Sequence, residues 1–474
     1  MVGAYEWLLA LNAFIEYKKS ANMMPKRCFL IAFRHARVLI FAFSTLILAS
    51  QAGNAQVRLM LKKATEVQGS APSPRLSDGS GAYATGKYRN LLAEAGHSNQ
   101  EISAKIDQAF QQLFHGDPST QAIYFSTGSN ANGPLAYITD WNNHDVRTEG
   151  MSYGMMIAVQ LNKKAEFDAI WNWAKTHMYI DDPKHPSYGY FSWSCKTDGS
   201  PNAETAAPDG EEYFVMSLYF ANARWGSGKG IYNYKLQADD LLTSMRHKLE
   251  VTGPTKFGTR TVGAEVNEHA KMIRFVPDVM KEGDFTDPSY HLPAFYELWA
   301  RWGPVADRQF WADAAEVSRM FFVKATNPQT ALAPDYANFD GTPKQTKFAQ
   351  SVNFGYDAWR TASNWSVDWS WWHKAPDEQA LSDRIQAFFA SQGMDKYGDL
   401  YTLDGKEIKG GHSTGLVATN AVASLAATDR RSKEFVKALW NTPVPSGQMR
   451  YYDGMLYLMS MMHVSGQYRI WSPR

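Results

Sequence analysis

From Asn99 onward, apolar residues return every three or four positions in one segment after another. "NQEISAKIDQAFQQLF" puts Ile102, Ile106, Phe110 and Leu113 on one helical face. "EFDAIWNWAKTHM", "FVMSLYFANARW", "LPAFYELWARW", "FWADAAEVSRMFF", "LSDRIQAFFASQ" and "GLVATNAVASLAA" repeat the pattern. Strand signals are few and short, as in "YGYFSWSC" at 188–195. The connecting segments are rich in Gly, Pro, Asp and Tyr, but no long linker breaks the run. The spacing predicts about a dozen helices in one continuous domain, 86–474, which must bury their apolar faces on one another. A helical barrel and a solenoid both satisfy that demand, and loops at one end would build a groove.

Ahead of this domain the composition changes. Residues 56–85 turn Ser-, Pro- and Gly-rich and read as a flexible lead-in. Residues 24–55 have the layout of a secretory signal peptide. Lys26, Arg27, Arg34 and Arg37 precede an apolar stretch from Val38 to Ala49, and Gly53-Asn54-Ala55 offers small residues for cleavage. The apolar stretch is short of the ~20 residues a membrane span needs. Export to the periplasm or beyond follows, with no stable membrane association after cleavage. Residues 1–22 precede a good start at Met23 or Met24 and read as an over-long N-terminal extension. If residues 1–55 are removed, Cys195 is the one remaining cysteine and no intramolecular disulfide can form.

Aromatic residues make up 14% of the chain, with 16 Trp and 24 Tyr. Core packing explains such an excess, and so does a groove that stacks flat sugar rings. The net charge is +1, with no basic stripe, so a nucleic-acid partner is not expected. His177, Asp181, Asp182 and His185 cluster in "HMYIDDPKH", but that is loop composition. No metal and no cofactor is expected.

Three acids have unusual neighbours. Glu149 opens a helix in "HDVRTEGMSYGMMIAVQ", where Thr148 or Asp145 could cap. Burial among Gly, Met and Tyr would raise its pKa, as a general acid requires; an acid that merely balances the helix dipole is the other reading. Asp209 lies in "APDGEEYFVM", where Pro-Asp-Gly reads as a turn and Glu211-Glu212 open a helix. Asp357 lies in "YDAWRTASNWSVDWSWW", three residues before Arg360, which could face it on one helical turn. The crowd of Trp359, Trp365, Trp369, Trp371 and Trp372 argues against a solvated face. Two acids under opposite pKa pressure suit glycosidic hydrolysis, although only the fold could bring residues so far apart together.

The motifs "DVRTEGMSYGMM", "GYFSWSC", "APDGEEYF", "FTDPSYHLPAFYELWA", "YDAWRTASNWSVD", "HSTGLVATNA" and "RYYDGMLYLM" resemble, in order, those of glycoside hydrolase family 8. They look closest to its reducing-end xylose-releasing exo-oligoxylanases. The resemblance implies an all-α (α/α)6 barrel with long loops forming a groove at one end, and inversion at the anomeric carbon. By motif, Glu149 resembles the general acid, Asp357 the general base, and Asp209 the acid that binds and distorts the sugar. Trp193 resembles a stacking platform, and Tyr290, Arg360 and Tyr452 match substrate contacts. In exo-acting members a Leu-His-Pro loop resembles a wall at the reducing-end side. Here His412 is kept, while Gly411 and Ser413 replace its neighbours. The resemblance thus implies a hydrolase acting on xylo-oligosaccharides, and a monomer is expected. An endo-acting xylanase or β-glucanase and a non-catalytic oligosaccharide-binding protein remain the alternative readings.

Overall fold

The computed structural model describes residues 76–278 and 284–473. The expected N-terminal extension, the expected signal peptide and most of the expected lead-in lie outside the described residues. Among the described residues, twelve α-helices run nine residues or longer. They are α1 (Asn99–His115), α2 (Thr148–Gln160), α3 (Lys164–Trp173), α4 (Pro208–Trp225), α5 (Tyr234–His247) and α6 (Pro293–Trp302). The series continues with α7 (Arg308–Ala325), α8 (Thr361–Trp372), α9 (Asp377–Gln392), α10 (Thr414–Val422), α11 (Ser432–Asn441) and α12 (Arg450–Val464).

The even-numbered helices form an inner ring. α2 packs on α4, α6 on α8, α8 on α10, α10 on α12, and α12 returns to α2. The remaining seam, α4 to α6, is made by the Tyr213 and Phe295 rings at 5.1 Å and by Tyr296, whose hydroxyl donates to Glu212 at 2.6 Å. The odd-numbered helices pack outside, each against an inner neighbour. This is the (α/α)6 barrel, and it decides between barrel and solenoid. The patterns differ as the layers require. α1 keeps one apolar face and starts at a capping box of Ser98 and Glu101. In α2 every residue except Glu149 is buried.

Most of the tryptophan excess lies in this core. Trp171, Trp173, Trp299, Trp311, Trp365, Trp371 and Trp372 are fully buried. Trp299 meets Trp311 edge-on at 4.7 Å between α6 and α7. Each buried indole is worth roughly 4–6 kcal/mol of hydrophobic burial before entropy is charged. The core reading therefore holds for the Trp-rich "WSVDWSWW" helix.

Three local expectations change. Residues 80–85, expected in a flexible lead-in, are docked: Ser80 N–H donates to the Trp372 carbonyl, and Tyr83 stacks on Trp372 at 4.5 Å. The strand expected over 188–195 is only Ser194–Lys196, paired antiparallel with Asp145–Arg147. The helix expected to begin after a Pro-Asp-Gly turn begins at Pro208 itself, since proline fits the first helical position. No helix among the described residues is long and apolar enough to cross a membrane.

Every inner helix starts at the same end of the barrel. Glu149 and Asp209 are second residues of α2 and α4. Ser289 and Tyr290 precede α6, Asp357 and Arg360 precede α8, His412 precedes α10, and Tyr451 and Tyr452 open α12. Six chain segments, remote in sequence, deliver their polar residues to one rim.

Candidate active site

Arg360 is buried at the centre of that rim. Its Nη1 donates to Asp209 Oδ2 at 2.9 Å and to Glu149 Oε2 at 3.3 Å. Its Nη2 donates to Asp357 Oδ1 and to Ser289 Oγ, both at 2.9 Å. One guanidinium thus joins all three acids. The Asp357–Arg360 contact was visible as an i,i+3 pair; the links to Glu149 and Asp209 were not.

Glu149 is tuned by its surroundings. Burial pushes its pKa up to about 7; Arg360 pulls it down, and the Asp209 and Asp357 charges push it up. Its other oxygen accepts from the Tyr451 hydroxyl at 2.9 Å. Two glycines make this possible by close approach. A β-carbon on Gly150 would lie 2.5 Å from the Tyr451 ring, and one on Gly210 would overlap Thr148. The starts of α2, α4 and α12 can therefore crowd together. Neither Thr148 nor Asp145 caps α2, contrary to expectation. The N-cap is Arg147, with no side-chain cap bond, and Asp145 instead accepts from Arg147 Nε at 3.1 Å and Ser194 Oγ at 2.9 Å.

Asp209 accepts from its neighbour Gly210 N–H at 2.9 Å, and burial raises its pKa against the opposing pull of Arg360. Asp357 is the most open of the three: 33% of its side chain is exposed, against 16% for Glu149 and 7% for Asp209. Water reaches Asp357 most easily. Behind it, buried Asp335 accepts from Ala358 N–H at 3.2 Å and buried Asp287 accepts from Ser289 N–H at 2.7 Å. Burial, reinforced by the Asp357 charge, raises the pKa of both well above the usual carboxylate range.

Glu149, Asp209, Asp357, Trp193 and Tyr290 line one cavity of about 590 Å³. Trp193 is half-buried with the Arg147 guanidinium 5.8 Å from its ring centre, and Arg360 lies 5.8 Å from that of Tyr290. Two expected contact residues, Tyr452 and His412, are not among the residues that line this cavity. The Tyr452 hydroxyl donates to the Tyr356 carbonyl at 3.0 Å. His412 has a left-handed backbone, φ 69°, and its Nδ1 lies 3.2 Å from the Tyr397 carbonyl. Among the described residues no group of His, Cys, Asp and Glu is arranged to hold a metal ion, and His185 instead meets Glu204 at 3.2 Å.

The description "Glycosyl hydrolases family 8" matches residues 131–466. The chain belongs to glycoside hydrolase family 8. Among its family 8 relatives, the reducing-end xylose-releasing exo-oligoxylanase Rex8A of Paenibacillus barcinonensis is 43% identical, over 83% of this chain and 99% of that one. A protein of the same description from Halalkalibacterium halodurans is 44% identical over 83% and 97%. A solved family 8 xylanase from Teredinibacter turnerae, a catalytic mutant in complex with xylohexaose, has 55% identity and a TM-score of 0.82, over 83% of this chain and all of that one.

Within the family 8 site, sequence reasoning missed Tyr451, Tyr153 and Ser289. The Arg360 guanidinium donates to Tyr153 at 2.5 Å as well as to Ser289. Tyr153 had a signal, since it stands four residues after Glu149 on α2 and shares its face. Tyr451 and Ser289 adjoin residues that were singled out, but nothing local marks which of two neighbours points inward.

Proposed function

We propose that this family 8 hydrolase cleaves β-1,4-xylo-oligosaccharides with inversion, releasing xylose from the reducing end. The observation that carries the chemistry is the shared guanidinium of Arg360. It binds a Glu149 oxygen at 3.3 Å and an Asp357 oxygen at 2.9 Å through different nitrogens, so the two acids flank one site; an inverting pair stands roughly 6.5–9.5 Å apart, which leaves room for an attacking water. The two relatives named for this activity support the substrate and the reducing-end specificity.

In this reading Glu149, protonated below about pH 7, gives its proton to the glycosidic oxygen as the C1–O bond breaks. Asp357 takes a proton from the water that bonds to C1 on the opposite face. The sugar leaves with inverted configuration, Glu149 as carboxylate and Asp357 protonated, and solvent exchange resets both. Asp209, 2.9 Å from Arg360 and buried, holds the sugar at the cleaved position, with Trp193 and Tyr290 as apolar walls. His412 closes the reducing-end side. Its Nδ1–H is directed at Tyr397, which leaves Nε2 to accept from a sugar hydroxyl. The enzyme works as an exported monomer.

The loop around His412 favours a second reading, endo cleavage of xylan. Ser413 N–H and Oγ donate to Asp399 at 2.7 and 2.8 Å, bonds of which a proline could make neither. A β-carbon at Gly411 would overlap the same carboxylate. Asp399 thus sets the path of the loop, and no leucine adds bulk to the wall. A time course on xylohexaose separates the readings. The first expects xylose and xylopentaose as the initial products; mid-chain fragments appearing ahead of xylose would establish the second.

A further inference from the structure

Two phenylalanines in the cavity have no part in the proton transfers. Phe257 and Phe348 line the same cavity as Glu149, Asp209 and Asp357, yet 43% and 44% of their surface is exposed. Single exposed apolar residues are ordinary on a protein surface. Two flat rings, 91 positions apart in sequence and open to one catalytic cavity, are a different arrangement.

Both rings sit on braced turns. Phe257 occupies the two-residue turn of the hairpin formed by Val251–Thr255 and Gly258–Val262. Thr255 Oγ1 donates to the Gly258 carbonyl at 2.7 Å and accepts from Phe257 N–H at 3.0 Å. The tip is tied across the cavity wall, where Lys256 N–H donates to Glu204 at 2.8 Å. On the other segment, Phe348 N–H donates to Thr346 Oγ1 at 3.2 Å, and the Phe348 carbonyl accepts from Ser351 N–H at 3.1 Å. Lys347 Nζ lies 5.0 Å from the Phe348 ring centre. A turn already fixed in the free protein loses little further backbone entropy when its exposed ring stacks against a ligand.

We infer that Phe257 and Phe348 form a distal sugar-binding subsite, which stacks pyranose rings of a longer xylo-oligosaccharide away from the bond being cleaved. This rests on the substrate reading above and adds a preference for chain length. Each ring should contribute roughly 2–10-fold, as for other aromatic contacts, and the contribution exists only for chains long enough to reach them.

The test compares kcat/KM for xylotriose and xylohexaose in the wild type, Phe257→Ala, Phe348→Ala and the double variant. Thermal melting checks that all four are folded. The expected result is a wild-type xylohexaose-to-xylotriose ratio that falls roughly tenfold in the double variant, through a higher KM on xylohexaose with xylotriose unchanged. Equal effects on both substrates, or none, overturn the inference. If the wild type turns over neither substrate, the substrate reading has failed. Titration of tryptophan fluorescence with cellohexaose then decides the subsite: weaker binding by the double variant upholds it for β-1,4-linked chains, and unchanged binding overturns it.

Discussion

Glu149 feels opposed influences, with burial and two neighbouring acids favouring its proton and Arg360 opposing. As the proposed proton donor, Glu149 must be protonated to act, so the alkaline limb of kcat/KM should fall as pH rises through about 7. Tyr451 donates to Glu149, which favours the charged form. Tyr451→Phe should therefore move the alkaline limb to higher pH, and an unmoved or lowered limb in pH–rate profiles would contradict this. Glu149→Gln and Asp357→Asn should each lower kcat on the order of 10²–10⁴-fold while xylo-oligosaccharide binding, read by calorimetry, persists. The apolar company of Glu149 was legible in "TEGMSYGMM". The pull of Arg360, 211 positions away, was not, because nothing local states which helix starts will share a rim.

At the scale of elements, the site exists because α2, α4 and α12 start nearly in contact. Gly150 and Gly210 sit where a methyl group would strike Tyr451 and Thr148. Alanine is the better helix former by about 1 kcal/mol, so the sign of a glycine-to-alanine change is informative. Gly150→Ala and Gly210→Ala should each destabilise, by roughly 1–3 kcal/mol from overpacking, read as a lowered Tm. Gly150→Ala should also shift the pH profile in the direction of Tyr451→Phe. A raised Tm would mean that the helices are not packed so closely. Helix periods were readable because both layers bury apolar residues at regular spacing. The expected cap of α2 was not found, because Asp145 is used by Arg147 and Ser194. That pairing depends on a strand contact with residues 194–196 that local sequence does not announce.

Across the whole molecule, α2 is fixed at both ends by the last part of the chain. Tyr451 meets its start. At its far end the Gln160 side chain donates to the Arg469 carbonyl at 2.9 Å and accepts from Arg469 N–H and Trp471 Nε1, both at 3.0 Å. At about 1 kcal/mol per bond, Gln160→Ala should lower Tm by several degrees and leave the alkaline limb of activity in place. A displaced limb would show that the far end of α2 governs the acid. Ring closure itself could be anticipated only through the family resemblance, since a solenoid would have the same helical periods. The central claim is that Glu149 and Asp357 act on opposite faces of the sugar, with a water between Asp357 and C1. It is tested most directly by ¹H NMR of the first minutes of xylohexaose hydrolysis, before mutarotation. The account predicts that the newly formed reducing ends appear as the α-anomer; a β-anomer appearing first would contradict it.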